Sequence, residues 1–330
     1  MPLYLTFPDW IRPEIIPGLP IRWYGLMYVV AFALTYWLFN VQVRRSGQLI
    51  AKDTVSNFFF AGLAGLLIGA RLFGTLVYDT TGRYWAQPWL IFWPFDENWH
   101  FTGFAGMSFH GGLLGVIVGF LLYCRYKKLD LLQWGDWVVA AFPLGYTFGR
   151  LGNFINEELW GRVTTVPWGT LFPHAEKVST SEPWVQHAMQ QTGITSTDAL
   201  VNLPRHPSQL YEAAGEGILL WLLFWFVLKD RKPFQGFLMG TYLIGYGIVR
   251  FAVEYLRNPD KGLDFIISFQ PGFSTSQLEV PLLNFSMGQI LSSVMIVGGV
   301  VFLILLSVYH KRKALAAASP VRKTSKKHGR

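Results

Sequence analysis

Long apolar stretches separated by short polar and basic connectors dominate the 330-residue chain. A helix needs about 20 residues to cross a hydrocarbon core about 30 Å thick. Apolar windows of that length run from 23 to 43, 54 to 78, 107 to 124, 137 to 156, 209 to 228, 236 to 257 and 288 to 309. The pattern predicts an all-α polytopic membrane protein with seven transmembrane helices. Pro143 predicts a kink in the fourth, while Gly62, Gly65, Gly69, Gly145 and Gly149 supply small-residue spacings that let helices approach closely. No internal repeat of the inverted-repeat transporter kind is visible. Two connectors stand apart. Segment 79–107 carries Tyr84, Trp85, Trp89, Phe92, Trp93, Phe95, Trp99, Phe101 and Phe104, which predicts a surface piece lying among lipid headgroups. Segment 157–207 is polar and long enough for a small head between the fourth and fifth helices, either gripping a partner or serving as a passive cap.

Composition supports the membrane assignment, with 52% hydrophobic, 17% aromatic and only 15% charged residues, against about 25% charged in soluble domains. The single cysteine, Cys124, excludes a disulfide scaffold, and the aromatic content excludes disorder. The net charge of +8 does not point to nucleic acid, because the basic residues fall in blocks between apolar runs and in the tail. Seventeen Lys and Arg lie in 44–52, 125–128, 229–232 and 311–330, whereas seven (Arg12, Arg22, Arg83, Arg162, Lys177, Arg205 and Lys261) lie on the other side. The positive-inside rule then places the N-terminus and the 157–207 head outside and the C-terminus in the cytoplasm, which seven spans satisfy. The organisation expected is a seven-span domain over 1–310 and a flexible basic tail over 311–330 that touches anionic membrane lipids. The first ten residues have no basic n-region, apolar h-region or small-residue cleavage site, so no removed signal peptide is expected.

Ionisable groups inside a bilayer are costly and need a partner or a wet cavity. With the predicted orientation, Tyr24, His110, Glu212, Glu216, Arg71, Arg150, Arg250, Glu254 and Arg257 all fall in the outer half of their spans, and no charge falls in an inner half. That distribution predicts a polar chamber open toward the outer leaflet. Four arginines against three glutamates leave a formal surplus of one positive charge, which an anionic ligand would complete. Arginine's planar fork matches phosphate oxygens; the competing reading makes each Arg a structural partner of a Glu. Tyr246, Arg250 and Glu254 are four apart and stack on one helix face, and Arg150 and Asn153 share a face with Glu158 just beyond.

The run Gly149-Arg150-Leu151-Gly152-Asn153-Phe154-Ile155-Asn156-Glu157-Glu158-Leu159-Trp160-Gly161 resembles the signature of the bacterial prolipoprotein diacylglyceryl transferases. The resemblance extends to Trp23–Tyr28, Met107–Gly112, Arg205–Glu212, Gly245–Glu254 and Ser286–Gln289. Glu157 departs from it, standing where a small residue such as glycine is expected, and the segments 79–107, 258–286 and the tail are longer. The resemblance implies a multi-pass protein of the bacterial inner membrane that moves a diacylglyceryl group from phosphatidylglycerol to the lipobox cysteine of a preprolipoprotein. A thioether forms and glycerol phosphate leaves, the first step of lipoprotein maturation. The partners implied are phosphatidylglycerol and preprolipoprotein signal peptides.

That reaction needs a thiolate and a stabilised leaving phosphate. A free thiol has a pKa of about 8.5, so a histidine base suits it, and His110 takes that role. Arg150 and Arg250 meet the phosphate charge, Glu254 and Tyr246 fix Arg250, Asn153 donates a hydrogen bond and Tyr24 lines the headgroup site. Glu158, Gly161 and His206 support them. A second division of labour, in which Arg250 or Glu254 assists deprotonation and His110 only binds, stays open. No paired-Asp or HExxH pattern appears, so neither metal nor cofactor is expected. The rival from another class is a lipid- or solute-binding membrane transporter, which would carry polar residues into the inner half. A metal-dependent headgroup transferase would need more clustered carboxylates than Glu212 and Glu216.

Overall fold

The computed structural model describes all residues except 1–2, 17, 19–21, 96–98, 101–105, 259–263, 271, 274–277, 279 and 319–330. Phe101, Phe104, Lys261 and the end of the basic tail, all part of the sequence expectations, lie outside the described residues. The chain forms two compact units, one of residues 1–39 and 135–330, the other of residues 40–134.

The principal helices among the described residues are α1 (Trp23–Arg45), α2 (Lys52–Tyr78), α3 (Phe109–Lys127), α4 (Leu131–Ile155), α5 (Pro183–Thr192), α6 (Ser208–Leu228), α7 (Phe237–Glu254) and α8 (Met287–Ala318), and all but α5 follow the hydropathy pattern. Among the described residues six are long and apolar enough to cross a membrane: α1, α2, α3, α6, α7 and α8. Helix α4 has 25 residues and runs without a break through Pro143. The expected flexible tail begins instead as a helix, since α8 continues through Lys311 to Ala318.

In the second unit α2 packs along α3 on a glycine seam. A Cβ on Gly65 would stand 2.2 Å from the Gly115 carbonyl oxygen, and one on Gly69 would stand 2.3 Å from that of Gly111. Backbones this close gain dispersion contacts that larger residues would forbid. Gly145 similarly faces Ala31 and Thr35 of α1, whereas Gly149, expected to pack, has open space around it. The aromatic connector holds a one-turn helix, Arg83–Ala86, and a 3₁₀ turn, Pro88–Phe92, with Trp85, Trp89 and Trp99 exposed.

In the first unit α7 packs along α8, and the start of α7 is held from α4. The buried carboxylate of Asp136 accepts from the backbone N–H of Gly236 at 3.0 Å and of Met239 at 3.2 Å, with Lys232 Nζ at 3.1 Å. It satisfies orphan donors of a helix N-terminus. Helix α4 starts at Leu131, ahead of the expected 137. It therefore takes in Asp136, a charge at the end of the helix opposite Arg150 that the expectation of an uncharged inner half did not count. Both of its oxygens are spent on this cap.

Segment 157–207 packs around small apolar cores. Val163, Val185, Ala188, Val201 and Leu203 form one core, and Phe7, Phe172 and Ala175 form another against Ile11, Phe154 and Trp160. Strand β1 (Leu5–Thr6) pairs in parallel with β2 (Thr170–Leu171), and β3 (Val178–Ser179) pairs antiparallel with β4 (Leu200–Val201). A further ribbon, β5 (Ile267–Ser268) with β6 (Asn284–Phe285), leads into α8.

Candidate active site

Helix α4 places Tyr146, Arg150 and Asn153 on one face through their spacings of four and three. Helix α6 supplies Glu212 and Glu216, the latter within a π-helical stretch over Ala213–Leu219, a widened turn of the kind that recurs at functional sites. Helix α7 supplies Tyr246, Arg250 and Glu254, with Arg257 just past its end.

These residues meet as a buried charge array. Arg150 Nε lies 2.8 Å from Glu212 Oε2 and donates to the Tyr146 hydroxyl at 2.6 Å. The Tyr146 hydroxyl in turn donates to Glu216 Oε2. Arg250 donates through Nη2 to Glu254 at 2.9 Å, and its Nη1 stands 3.4 Å from Glu212 and 3.7 Å from Glu216. Arg257 lies 3.8 Å from both Glu212 and Glu254. Glu212 and Glu216 are fully buried. Charges this deep are tolerable only because each has opposite charge around it.

The count differs from the sequence expectation. Arg71 belongs to the second unit, where its guanidinium donates to the backbone carbonyls of Ile91 and Leu90 and stacks over Tyr84. Three arginines, Arg150, Arg250 and Arg257, pair with the three glutamates of the array. What singles out Arg150 is its fork: it is tied through Nε alone, and no hydrogen bond engages either Nη group among the described residues. Arg250 is surrounded by three carboxylates. The two arginines that the sequence treated alike are thus unlike, one open and one committed.

Glu254 is held from the far side by Ser286, whose hydroxyl donates to Oε1 at 3.1 Å. A Cβ on Gly288 would lie 2.4 Å from that oxygen, so the start of α8 must be bare for the carboxylate to reach it. Tyr246, one helical turn from Arg250, sets its ring edge-on to that of Tyr146 at 6.2 Å. Tyr24 hydrogen-bonds Tyr28 at 2.9 Å, and its ring lies against Gly152 of α4.

The signature exit from α4 locks α6 in place. Asn153 donates to Glu158 at 2.7 Å, Gln209 donates to the Glu158 carbonyl at 2.7 Å, and Ser208 donates to the Leu159 carbonyl at 3.0 Å. The Gly161 N–H donates to the His206 carbonyl at 2.8 Å, and a Cβ on Gly161 would meet the Leu256 carbonyl at 2.4 Å. Asn153 and Glu158 are thus spent on each other and on aligning Glu212 with Arg150. Glu157, where glycine was expected, adopts φ of 51°, a left-handed conformation that glycine takes most easily. Its carboxylate holds the His174 ring at 3.1 Å. His206 lies in the head with its Nδ1 3.2 Å from the Tyr211 hydroxyl; burial, then the Arg162 charge, push its pKa down to about 4, so the ring stays neutral near pH 7.

His110 belongs to the second unit. It is exposed in the first turn of α3, which Ser108 caps, and its Nδ1 is 2.8 Å from the Tyr78 hydroxyl. Tyr78 was not anticipated, since it sits 32 residues away. Tyr146 was also missed, although it stands four residues before Arg150 as Tyr246 stands before Arg250, and that repeated spacing was the available signal. Among the described residues no three His, Cys, Asp or Glu side chains gather to hold a metal ion.

Apolar helices that carry a buried array of paired charges define a multi-pass membrane protein with a polar site. The family model for prolipoprotein diacylglyceryl transferase matches residues 13–305. A phosphatidylglycerol–prolipoprotein diacylglyceryl transferase of Treponema denticola is 46% identical, with 94% of this chain and 97% of that one covered. One from Treponema pallidum is 45% identical, with 96% and 99% covered. Another, from Pseudoalteromonas atlantica, is 39% identical, with 98% and 97% covered. The chain belongs to the prolipoprotein diacylglyceryl transferase family and is a transferase.

Proposed function

We propose that this protein transfers the diacylglyceryl group of phosphatidylglycerol to the lipobox cysteine of preprolipoproteins, releasing glycerol phosphate. The observation that carries the reading is the open Arg150 fork within a buried array of arginines and glutamates. A phosphodiester brings one negative charge, and two Nη groups offer it paired, planar donors without breaking an existing ion pair. As the carbon–oxygen bond breaks, the leaving phosphate gains a second negative charge, and a fixed cation stabilises that state more than the starting one. Arg250, with Glu254 and Glu212 around it, supplies the positive background. Tyr24, Asn153 and Tyr246 shape the headgroup site.

His110 is the proposed base for the acceptor thiol. With Nδ1–H donating to the Tyr78 oxygen, the Nε2 lone pair is the one available to take a proton. The sulfur then attacks the glycerol carbon, the proton stays on the imidazole until solvent or product takes it, and the bond electrons leave with the phosphate.

The reading is tested with purified protein, phosphatidylglycerol and a lipobox peptide, followed by mass spectrometry of the peptide. The expected product carries a diacylglyceryl thioether, with and without EDTA. An unmodified peptide overturns the reading, and activity restored only by a divalent cation favours a metal-dependent enzyme.

Orientation is part of the proposal: seven spans, the N-terminus and head outside, the C-terminus in the cytoplasm, in the bacterial inner membrane. Helix α4 is the seventh span, since 25 residues rise about 37 Å. It carries Arg150, paired with Glu212 of α6. A cysteine at exposed Thr197 is expected to react with an impermeant maleimide in spheroplasts, and one at exposed Lys313 only after lysis, with Cys124 buried in both. The opposite labelling reverses the orientation.

A further inference from the structure

Tyr146 touches both the open arginine and a buried carboxylate. We propose that Tyr146 and Glu216 are positioning residues that keep the Arg150 fork open for the donor phosphate by holding Nε and thereby preventing Glu212 from taking the whole guanidinium. The proposal rests on the phosphatidylglycerol-transfer reading above.

The geometry runs in one direction. A tyrosine hydroxyl has one proton, and here it is given to Glu216 Oε2, so the oxygen lone pairs remain to accept Arg150 Nε–H at 2.6 Å. The guanidinium carbon also stands 4.9 Å from the centre of the Tyr146 ring, and Tyr246 backs that ring edge-on. Hydroxyl and ring together fix both the position and the rotation of the guanidinium.

The competitor is close at hand. Glu212 Oε2 is already 2.8 Å from the same Nε. A carboxylate and a guanidinium free to rotate settle into a two-bond, parallel arrangement, the strongest available to them. Without the hydroxyl, Arg150 would turn onto Glu212 and spend an Nη group there, and the phosphate would have to displace it. Glu216 contributes by fixing the hydroxyl proton on its own side; its second oxygen, 3.7 Å from Arg250 Nη1, keeps it seated.

Tyr146→Phe keeps the ring and deletes the hydroxyl. Steady-state transfer from micellar phosphatidylglycerol to a lipobox peptide should show KM for the lipid raised about 10- to 100-fold, the size of one lost charge-assisted hydrogen bond, with kcat changed much less and thermal unfolding unaltered. Glu216→Gln should raise the same KM by a smaller factor. The double variant should match Tyr146→Phe alone to within about two-fold, because the Tyr146 hydroxyl is the hydrogen-bonded link between Glu216 and Arg150. An unchanged KM in Tyr146→Phe, a fall in kcat and unfolding temperature without a KM change, or multiplying effects in the double variant each overturn the proposal. Wild-type turnover in the same assay separates the two ideas. Absence of product from wild type sinks the transferase reading, whereas wild-type product with an unaffected Tyr146→Phe sinks only the positioning role.

Discussion

Arg150→Ala should lower kcat/KM by about 30-fold to several thousand-fold, the effect of losing about 2–5 kcal/mol when one partner of a buried charge contact is removed. The protein should remain folded, because Arg250 and Arg257 still stand beside Glu212. Arg250→Ala should behave differently. It leaves Glu212, Glu216 and Glu254 without the cation they share, so both activity and unfolding temperature should fall. Arg150→Lys should fail nearly as badly as Arg150→Ala, since an ammonium has neither the Nε–H that Tyr146 accepts nor a fork to offer a phosphate. Transfer kinetics and thermal unfolding of the three variants check this together. An Arg150→Ala enzyme within about three-fold of wild type would remove the arginine from the phosphate site.

His110→Gln should cost turnover rather than lipid binding. If the imidazole generates the thiolate, its loss leaves only the fraction of thiol that ionises unaided, about 3% at pH 7 for a pKa of about 8.5. General-base catalysis contributes roughly 100- to 10,000-fold, and kcat should fall within that range while KM for phosphatidylglycerol stays near wild type. The sign of the pH effect is diagnostic. Raising pH from 6 to 9 increases the thiolate fraction, so residual activity of His110→Gln should climb roughly tenfold per pH unit until the thiol pKa is passed, whereas the arginine variants should gain nothing comparable over wild type. Tyr78→Phe should lose part of the same rate, because the imidazole tautomer would no longer be held. Equal activity of His110→Gln and wild type across this range would leave His110 as a residue of the α3 start with no role in proton transfer.

The membrane-crossing stretches were legible because hydropathy over about 20 residues is a local, one-dimensional property. The predicted windows 23–43 and 209–228 correspond to Trp23–Arg45 and Ser208–Leu228. Limits moved where neighbours other than hydropathy set them: α4 starts at Leu131, ahead of the apolar window, and α8 outlasts its window into the lysines. The identities of Arg150, Arg250, Glu212, Glu216 and Glu254 were also readable, since charges inside apolar runs are conspicuous and costly.

Their pairing was not. Charge counting grouped Arg71 with the others, but its guanidinium donates to the Ile91 and Leu90 carbonyls of the second unit. Nor could spacing along a helix separate an arginine held through Nε alone from one ringed by three carboxylates. Tyr146 was invisible as chemistry because an aromatic residue in a membrane helix ordinarily packs, and Ser286 because a hydroxyl at a helix start ordinarily caps. By itself the sequence determined which segments are apolar, which residues must find partners inside them, and which family the signature resembles, all properties of composition and local order. Tertiary structure alone decided which partner each charge took, because a buried ion pair is set by side chains from α4, α6 and α7 meeting within about 4 Å, a distance that no separation along the chain encodes.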